Sequence, residues 1–303
     1  RQQHIYPEHD FSRLPIRPAA GHTGRAVMVS IPFGDRELHL QVWIALVGRV
    51  PLLLLDTDVP QNDSADRPIT SMLYTPGREM RLAQELVLGI GGARALEALG
   101  IEPAIWHMNE GHSAFLQFER LRRLVLEHGA SFDSAVAELR RTSVFTTHTP
   151  VPAGNEVFDA PLIRDYFDPR CAEFGIAPEQ WLALGSNDHG EPDQPFNMTA
   201  LAIRTSSRIN GVSAVNARVS ARMWQHLIPA NGPAGEQLRA ITNGVHHPSW
   251  LGLELQELFT SWFGERWPQV ITSAEGREAI LAAPDAPLWE VHLAQKRHLA
   301  RFL

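Results

Sequence analysis

Apolar and polar residues alternate through two early segments of the chain and run together in a third. The alternation covers residues 25–32 and 37–46, with a turn at 33–36, and residues 50–56 centre on four consecutive leucines. A period of two is typical of strands with one buried face. The pattern therefore predicts a β-hairpin and a third strand, after an irregular lead-in over residues 1–24.

Apolar residues then recur at helical spacing over residues 78–99, which predicts a long helix. The helix includes Gly89-Ile90-Gly91-Gly92, but a phosphate-binding glycine loop would follow a strand rather than interrupt a helical pattern. Each glycine costs a helix interior about 1 kcal/mol relative to alanine. Close approach of another backbone is therefore the better explanation of these glycines.

Short apolar runs and helical segments alternate along the remainder of the chain, which predicts an α/β fold with a mainly parallel sheet. Residues 1–249 are expected to form one Rossmann-like domain, and 250–303 a helical segment broken at Pro284 and Pro287. After residue 99, the elements expected within the first of these domains are strands at 103–106, 143–147 and 239–242, an apolar segment at 209–212, helices at 112–127, 132–141, 196–204 and 217–226, and a loop at 188–194.

Three polar islands follow short apolar runs. They are Trp106-His107-Met108-Asn109-Glu110-Gly111-His112, the segment from Thr146 to Asn155, and Ile241-Thr242-Asn243-Gly244-Val245-His246. In open α/β sheets, ligands bind beyond the carboxyl ends of the strands, so the islands predict one polar crevice. Amide and imidazole groups donate and accept hydrogen bonds, as sugar hydroxyls do. The candidates are Asn109, His112, Thr147, His148, Thr149, Asn155, Asn243 and His246; for Asn109, Thr149 and Asn155, a role in capping or turns is equally good.

Other chemistries fit these islands less well. A zinc site needs at least three protein ligands, and the spacing of His107, Glu110 and His112 is not that of a helical H-E-x-x-H motif, while His148, His246 and His247 have no ligand spacing. A glycosidase needs a carboxylate pair, for which Glu110 is a strong candidate and Glu156 a weak one. The G-x-S-x-G elbow of a serine hydrolase is absent from the sequence.

The composition argues against several further classes of protein. A net charge of -7 argues against nucleic-acid binding, and no apolar stretch reaches the length of a membrane helix, about 18 residues. The single cysteine, Cys171, cannot form an internal disulfide, and the polar start is unlike a signal peptide, so we expect a cytoplasmic protein. Lys296, the one lysine among 27 basic residues, lies in a polar helical stretch and is expected to be a solvated surface residue.

At its polar islands the chain resembles the α-glucan (glycogen and maltodextrin) phosphorylases, and the resemblance covers nearly the whole sequence. It is closest to a bacterial branch with Asn-Glu-Gly-His, where the animal enzymes have Asn-Asp-Thr-His. Six segments recur in order: Leu55-Asp56-Thr57-Asp58-Val59-Pro60, Gln84 to Gly92, Asn109-Glu110-Gly111-His112, Thr147 to Gly154, Arg208-Ile209-Asn210-Gly211-Val212-Ser213 and Thr242-Asn243-Gly244-Val245-His246.

The resemblance implies a GT-B architecture, with two Rossmann-like halves and catalysis in the cleft between them. It implies phosphorolysis of an α-1,4-glucan by inorganic phosphate to α-glucose 1-phosphate with retention, by an enzyme that could form a homo-oligomer. Carried over by residue, it places His148, as a catalytic-site residue, and Asn243 at the hydroxymethyl end of the reacting glucose. It places Glu110 and His112 in the wall of the sugar pocket, with Thr149 beside it.

The same resemblance implies pyridoxal phosphate, whose 5′-phosphate would assist the attacking phosphate ion. The upstream Gly-Gly-Leu-Gly segment of the family and its cofactor lysine are not found, and Lys296 matches no cofactor-lysine motif. We therefore expect a piece cut at both ends that holds no cofactor or metal and is inactive alone. Two alternatives stay open: a nucleotide-sugar transferase like starch or glycogen synthase, and a non-catalytic glucan-binding module.

Overall fold

The computed structural model describes residues 9–73, 76–151, 155–187, 194–228 and 238–302. Contacts within the chain divide it into two compact units, one extending to Thr242 and the other from Asn243 onward. The three sheets described below lie in the first unit, and the described elements of the second unit are helices. The division into residues 1–249 and 250–303 stays a prediction.

An antiparallel sheet opens the first unit. Its strands are β1 (Ile16–Pro18), β2 (Met28–Phe33), β3 (Arg36–Val47) and β4 (Val50–Asp56). Phe33 pairs with Arg36 and Val47 pairs with Val50, so two tight turns confirm the predicted hairpin and third strand. The predicted irregular lead-in is wrong at β1, which pairs with the far end of β3. Its three residues are too few to show a period of their own.

A helical segment follows the sheet, as predicted for residues 78–99. It consists of α1 (Arg78–Leu86), a π-helical turn (Val87–Gly91) and α2 (Gly92–Ala98). At Gly89, an added Cβ would lie 2.7 Å from Leu116 N, which confirms close approach of another backbone. Such a π-helical turn inside an α-helix is uncommon and often lies near a functional site.

The rest of the first unit is built around a parallel sheet with the strand order β10-β9-β6-β5. A coarse α/β fold with a parallel sheet is thereby confirmed, and a short antiparallel pair, β7 and β8, lies apart from it. In chain order the elements are β5 (Trp106–Asn109), α3 (Leu116–His128), α4 (Phe132–Thr142), β6 (Ser143–Thr147), β7 (Val157–Phe158), α5 (Ala160–Glu173), α6 (Pro178–Gly185), β8 (Phe196–Asn197), α7 (Met198–Arg204), β9 (Arg208–Gly211), α8 (Ala214–Met223) and β10 (Arg239–Ala240).

Several predicted boundaries are wrong. The strand expected at 103–106 begins at Trp106, because pairing with β6 runs from Trp106 opposite Ser143 to Asn109 opposite Thr146. The following helix begins at Leu116 rather than His112, because Glu110 has positive φ and a short 3₁₀ turn intervenes. The helix expected from 196 begins at Met198, and the one expected at 217–226 is α8. Residues 188–193 of the predicted loop lie outside the described residues.

Aromatic side chains from the start of α3 and from α5, α6 and β8 form a cluster in the core. Phe115, Phe118, Phe167, Trp181 and Phe196 are fully buried, with ring centroids about 5–6 Å apart. This packing anchors the start of α3, which follows the Asn-Glu-Gly-His island after a short 3₁₀ turn. The core therefore constrains the position of the island.

The second unit contains α9 (His247–Trp250), α10 (Leu253–Phe263), α11 (Trp267–Val270), α12 (Ala274–Leu281) and α13 (Asp285–Phe302), as the mostly helical prediction requires. Pro284 lies between α12 and α13. The break predicted at Pro287 is wrong, because this proline lies in the first turn of α13, where a missing N–H has no helical partner to lose. None of the described helices combines the length and the apolar composition needed to cross a membrane.

Candidate functional site

The first two polar islands meet at the carboxyl ends of β5 and β6. Asn109 pairs with Thr146 in the parallel register, and Glu110 N–H donates to the carbonyl of Thr146 at 2.9 Å. The chain then leaves both strands at the same edge of the sheet. This places Glu110 beside His148 and Thr149, as the strand-end argument predicts.

Glu110 has an unusual backbone and carries the central contact of the site. Its φ of 62° and ψ of 178° make it the one non-glycine residue with positive φ in the described part of the chain. This region of φ and ψ is nearly confined to glycine and costs a side chain about 1–3 kcal/mol. Glu110 Oε1 accepts hydrogen bonds from the backbone N–H groups of His148 and Thr149, the latter at 2.6 Å. The strained conformation therefore coincides with a carboxylate bound to backbone amides.

Side chains from β5 and β9 surround the same loop. Thr146 Oγ1 donates to Asn210 Oδ1 at 2.8 Å and lies 2.7 Å from His107 Nε2. Since the hydroxyl has one hydrogen, His107 Nε2 is the donor in the second contact. Asn216 Nδ2 donates to the carbonyl of His148 at 2.9 Å. The Thr146–His148 segment is thus held by hydrogen bonds from three neighbouring segments.

His112 lies in a cluster of charged side chains next to this loop. Its Nδ1 is 3.1 Å from Glu85 Oε1, and Arg81 Nη2 lies 3.0 Å from the same carboxylate and 3.3 Å from His112 Nδ1. Arg81 also contacts Glu156 at 3.2 Å, and Arg78 pairs with Glu156 at 2.5 Å. The α1 helix therefore supplies the partners that orient the imidazole of His112.

Burial and pairing shift two pKa values in this cluster in the same direction. Burial raises the pKa of Glu85, and the hydrogen bond from His112 opposes that effect only in part. The hydrogen bond to Glu85 raises the pKa of His112, against the effect of its own partial burial. The folded protein therefore binds protons at this pair more tightly than the unfolded chain does.

A pH dependence of stability follows from the His112 shift. Its contribution is complete below the ordinary pKa of 6.5 and is lost as the pH rises through the raised folded-state value. We expect the stability advantage of the wild type over a His112→Gln variant to shrink as the pH rises above about 6.5. Urea denaturation of both proteins across this range measures it, and a difference independent of pH would contradict the pairing.

The same cluster tests the metal hypothesis. Glu85, His112 and Glu156 each offer a ligand atom within 4.8 Å of the others, a set different from the His107, Glu110 and His112 weighed from the sequence. The guanidinium of Arg81 contacts all three side chains, so the position a cation would need already has a positive charge. Glu156 likewise forms ion pairs with Arg78 and Arg81. A carboxylate held in this way is a poor candidate for one member of a glycosidase carboxylate pair.

The remaining candidates from the sequence have separate surroundings. Asn155 Nδ2 donates to the carbonyl of Val151 at 3.0 Å, and its Oδ1 accepts from Thr199, which fits a turn-stabilising role. Asn243 and His246 are exposed residues of the second unit, and His246 Nδ1 lies 2.7 Å from Ser249 Oγ. The pairing of His148 with Asn243 stays a prediction. Pro152, Ala153 and Gly154 of the second island lie outside the described residues.

Arg81, Glu85, Asn210 and Asn216 were not among the candidate site residues, although Glu85 and Asn210 lie in segments that carry the resemblance. Arg81 and Glu85 are four residues apart in a helical pattern. This spacing is common for ion pairs on helix surfaces, so it does not distinguish a buried pair from an exposed one. Glu85 is nearly fully buried, and only the tertiary structure reveals this. Asn216 gives one sequence signal, since it follows a serine cap by three residues.

A cavity of about 790 Å³ lies next to the charged cluster, between β4, the α1–α2 segment and β5. Arg81, Glu85, His107 and His112 are among its lining residues. Most of its remaining wall is apolar, with leucines from β4 and α2, Ile105 and Trp106. Such a lining suits an apolar group rather than a polyhydroxylated ring.

The predicted relationship to the α-glucan phosphorylases is confirmed by sequence similarity to curated proteins. The chain is similar over most or all of its length to proteins named maltodextrin phosphorylase and glycogen phosphorylase. Maltodextrin phosphorylase of Thermococcus litoralis is 39% identical over 307 residues, which cover 100% of this chain. Glycogen phosphorylases of Mycobacterium tuberculosis and Aquifex aeolicus are 40% and 31% identical, over 82% and 98% of the chain.

These relatives are much longer than the chain. The matched regions span 36% of the Thermococcus protein, 30% of the Mycobacterium protein and 42% of the Aquifex protein. No profile of a known protein family matches the chain. The homology therefore bears directly on this part of the relatives, and the activity of the whole protein is a matter for proposal.

Proposed function

We propose that the chain supplies the sugar-binding half of an α-1,4-glucan phosphorylase, which converts glycogen or maltodextrin and inorganic phosphate into α-glucose 1-phosphate. The enzyme is then a hexosyltransferase with a GT-B architecture, and residues 1–249 are the glucan-side Rossmann-like domain. The observation that carries the proposal is the meeting of Glu110, His148 and Thr149 at one sheet edge, in a chain homologous to phosphorylases over its whole length.

In this proposal His148 binds the reacting glucosyl unit through its imidazole, together with Asn243 at the hydroxymethyl group. Thr149 and His112 complete the polar wall, since hydroxyl and imidazole groups exchange hydrogen bonds with sugar hydroxyls in either direction. Glu110 takes a more indirect part than the resemblance implies, because one carboxylate oxygen is already bound to two backbone amides. None of these groups needs to act as a nucleophile.

Pyridoxal phosphate would supply acid–base chemistry at the phosphate, through its own phosphate group. An imine-forming lysine is activated by burial in an apolar pocket or by a neighbouring cationic group. Lys296, the one lysine in the sequence, is exposed on α13 and is therefore not desolvated. The described residues thus do not fit the cofactor.

The proposed substrates, a neutral glucan and phosphate, do not require the basic surface of a nucleic-acid-binding protein. A net charge of -7 is compatible with them. We further propose that the enzyme works in the cytoplasm, where phosphorylated sugars are used, and that a homo-oligomer is compatible with this role.

The test is the product formed by the full-length protein. With maltoheptaose and inorganic phosphate, we expect α-glucose 1-phosphate to appear, detected by phosphorus NMR, with the glucan shortened one unit at a time. Consumption of a sugar nucleotide in place of phosphate would indicate a synthase-like transferase instead. Tight binding of maltoheptaose without either reaction would indicate a glucan-binding module.

A further inference from the structure

Side chains hold the backbone of His148 on both sides. Its N–H donates to the carboxylate of Glu110, and its carbonyl accepts a hydrogen bond from Asn216 Nδ2 at 2.9 Å. Asn216 Oδ1 in turn accepts from the N–H of Val212 at 3.2 Å. Both Oδ1 and Nδ2 of Asn216 are therefore hydrogen-bonded, and the side chain links the loop after β9 to the loop after β6.

The Asn210-Gly211-Val212-Ser213 segment brings Asn216 to this position. Ser213 Oγ caps α8 by accepting from the N–H of Asn216 at 3.1 Å. At Gly211, an added Cβ would lie 2.4 Å from Asn216 Oδ1 and 2.9 Å from Ala217 Cα. Only a glycine lets α8 approach β9 this closely, so the motif serves to seat a nearly buried asparagine against His148.

We propose that Asn216 is a positioning residue that fixes the direction of the His148 imidazole toward the glucosyl unit. The inference rests on the proposed function, in which His148 binds the reacting sugar. Asn216 touches the carbonyl of His148 rather than its ring, so it acts through the peptide and not on the substrate. A shift of about 1 Å in a substrate-positioning group can lower a rate about 100-fold.

Asn216→Asp acts on this contact. The aspartate keeps the oxygen that accepts from Val212 N–H, but it loses the donor and places a carboxylate oxygen against the carbonyl of His148. Asn216 is the third residue of α8, where a negative charge interacts favourably with the helix N-terminus. The helix should therefore stay folded in this variant, whereas Asn216→Ala loses both hydrogen bonds.

Asn62 offers a matched control in the antiparallel sheet. It is equally buried, its Nδ2 donates to the carbonyls of His39 and Thr57, each at 2.8 Å, and its Oδ1 accepts from the N–H of His39. Asn62→Asp removes the same kind of amide donor at a place with no contact to His148. We expect this variant to lose stability while its kcat stays within about twofold of wild type.

The experiment compares these variants in the full-length protein. We expect Asn216→Asp to lower kcat about 10- to 100-fold, with a loss of stability no larger than that of Asn62→Asp and a KM for phosphate changed by less than about threefold. Hydrogen exchange followed by mass spectrometry should show faster exchange in peptides covering residues 146–151 for Asn216→Asp only. The exchange result does not depend on catalysis.

The possible outcomes separate the two proposals. If the wild type forms no glucose 1-phosphate, the proposed function fails, and the exchange measurement still tests the contact with His148. If the wild type is active but Asn216→Asp keeps its kcat within about twofold, the positioning role is overturned. An equal loss of kcat in Asn62→Asp, or unchanged exchange at residues 146–151, would overturn it as well.

Discussion

Replacement of Glu110 by alanine is expected to remove most glucose 1-phosphate formation by the full-length protein and to destabilise it. The carboxylate accepts hydrogen bonds from the backbone N–H groups of His148 and Thr149. Bonds to a charged acceptor are stronger than neutral ones, and a donor left without a partner costs about 1–3 kcal/mol. We expect the free energy of unfolding to fall by about 2–4 kcal/mol. The freed loop should lower kcat at least about 100-fold.

Two further variants separate loop positioning from stability. Glu110→Gln keeps an acceptor oxygen without its charge, so it should lie between wild type and Glu110→Ala in both measurements. Glu110→Gly lacks the carboxylate but relieves the φ of 62°, so it should be more stable than Glu110→Ala by about 1–2 kcal/mol and equally inactive.

Glu119 provides the control for loss of a buried carboxylate. It is almost fully buried on α3 and pairs with Arg94 and Arg122, without a contact to the strand ends. Glu119→Gln should lower the unfolding free energy and leave kcat near wild type. Retention of wild-type kcat in Glu110→Ala, measured by the rate of phosphate consumption, would show that the sugar site lies elsewhere.

The local pattern of apolar and polar residues predicted much of the fold. Period-two alternation predicted β2 and β3 because one face of each strand packs on the core, where Ile31, Leu38 and Leu40 are buried. Helical spacing predicted α4 almost to the residue. The same logic missed α5, whose buried face includes Arg170 and which contains a proline at position 169. A charged residue on the buried face and a proline inside the helix both weaken the helical pattern in the sequence.

Only some of the contacts in the site could be predicted from the sequence. The strand-end rule brought Glu110 and His148 together correctly, because parallel strands deliver their carboxyl ends to one edge. The pattern could not show that the Glu110 carboxylate would bind backbone amides rather than face solvent. That choice depends on its positive φ, which propensities disfavour for a glutamate. The partners Glu85 and Asn216 come from helices distant in sequence, so no local spacing links them to His112 or His148.

The second large effect is steric and concerns Gly89 in the π-helical turn. An added Cβ there would lie 2.7 Å from Leu116 N and 2.8 Å from the carbonyl carbon of Phe115. Both atoms are backbone, so no flexible side chain can move aside, and α3 would have to shift. We expect Gly89→Ala to destabilise the chain by about 2–3 kcal/mol, measured by urea denaturation.

Gly92 makes the comparison decisive, since it lies three residues later in the same helical segment and has open space around its Cβ position. Gly92→Ala should stabilise the chain by about 0.5–1 kcal/mol, because alanine restricts the unfolded chain and favours the helix. Equal effects of the two substitutions would mean that helix propensity alone governs this segment. Stability changes of opposite sign would show that position 89 requires a glycine because α3 packs closely against it. α3 is the helix that follows the Asn-Glu-Gly-His island.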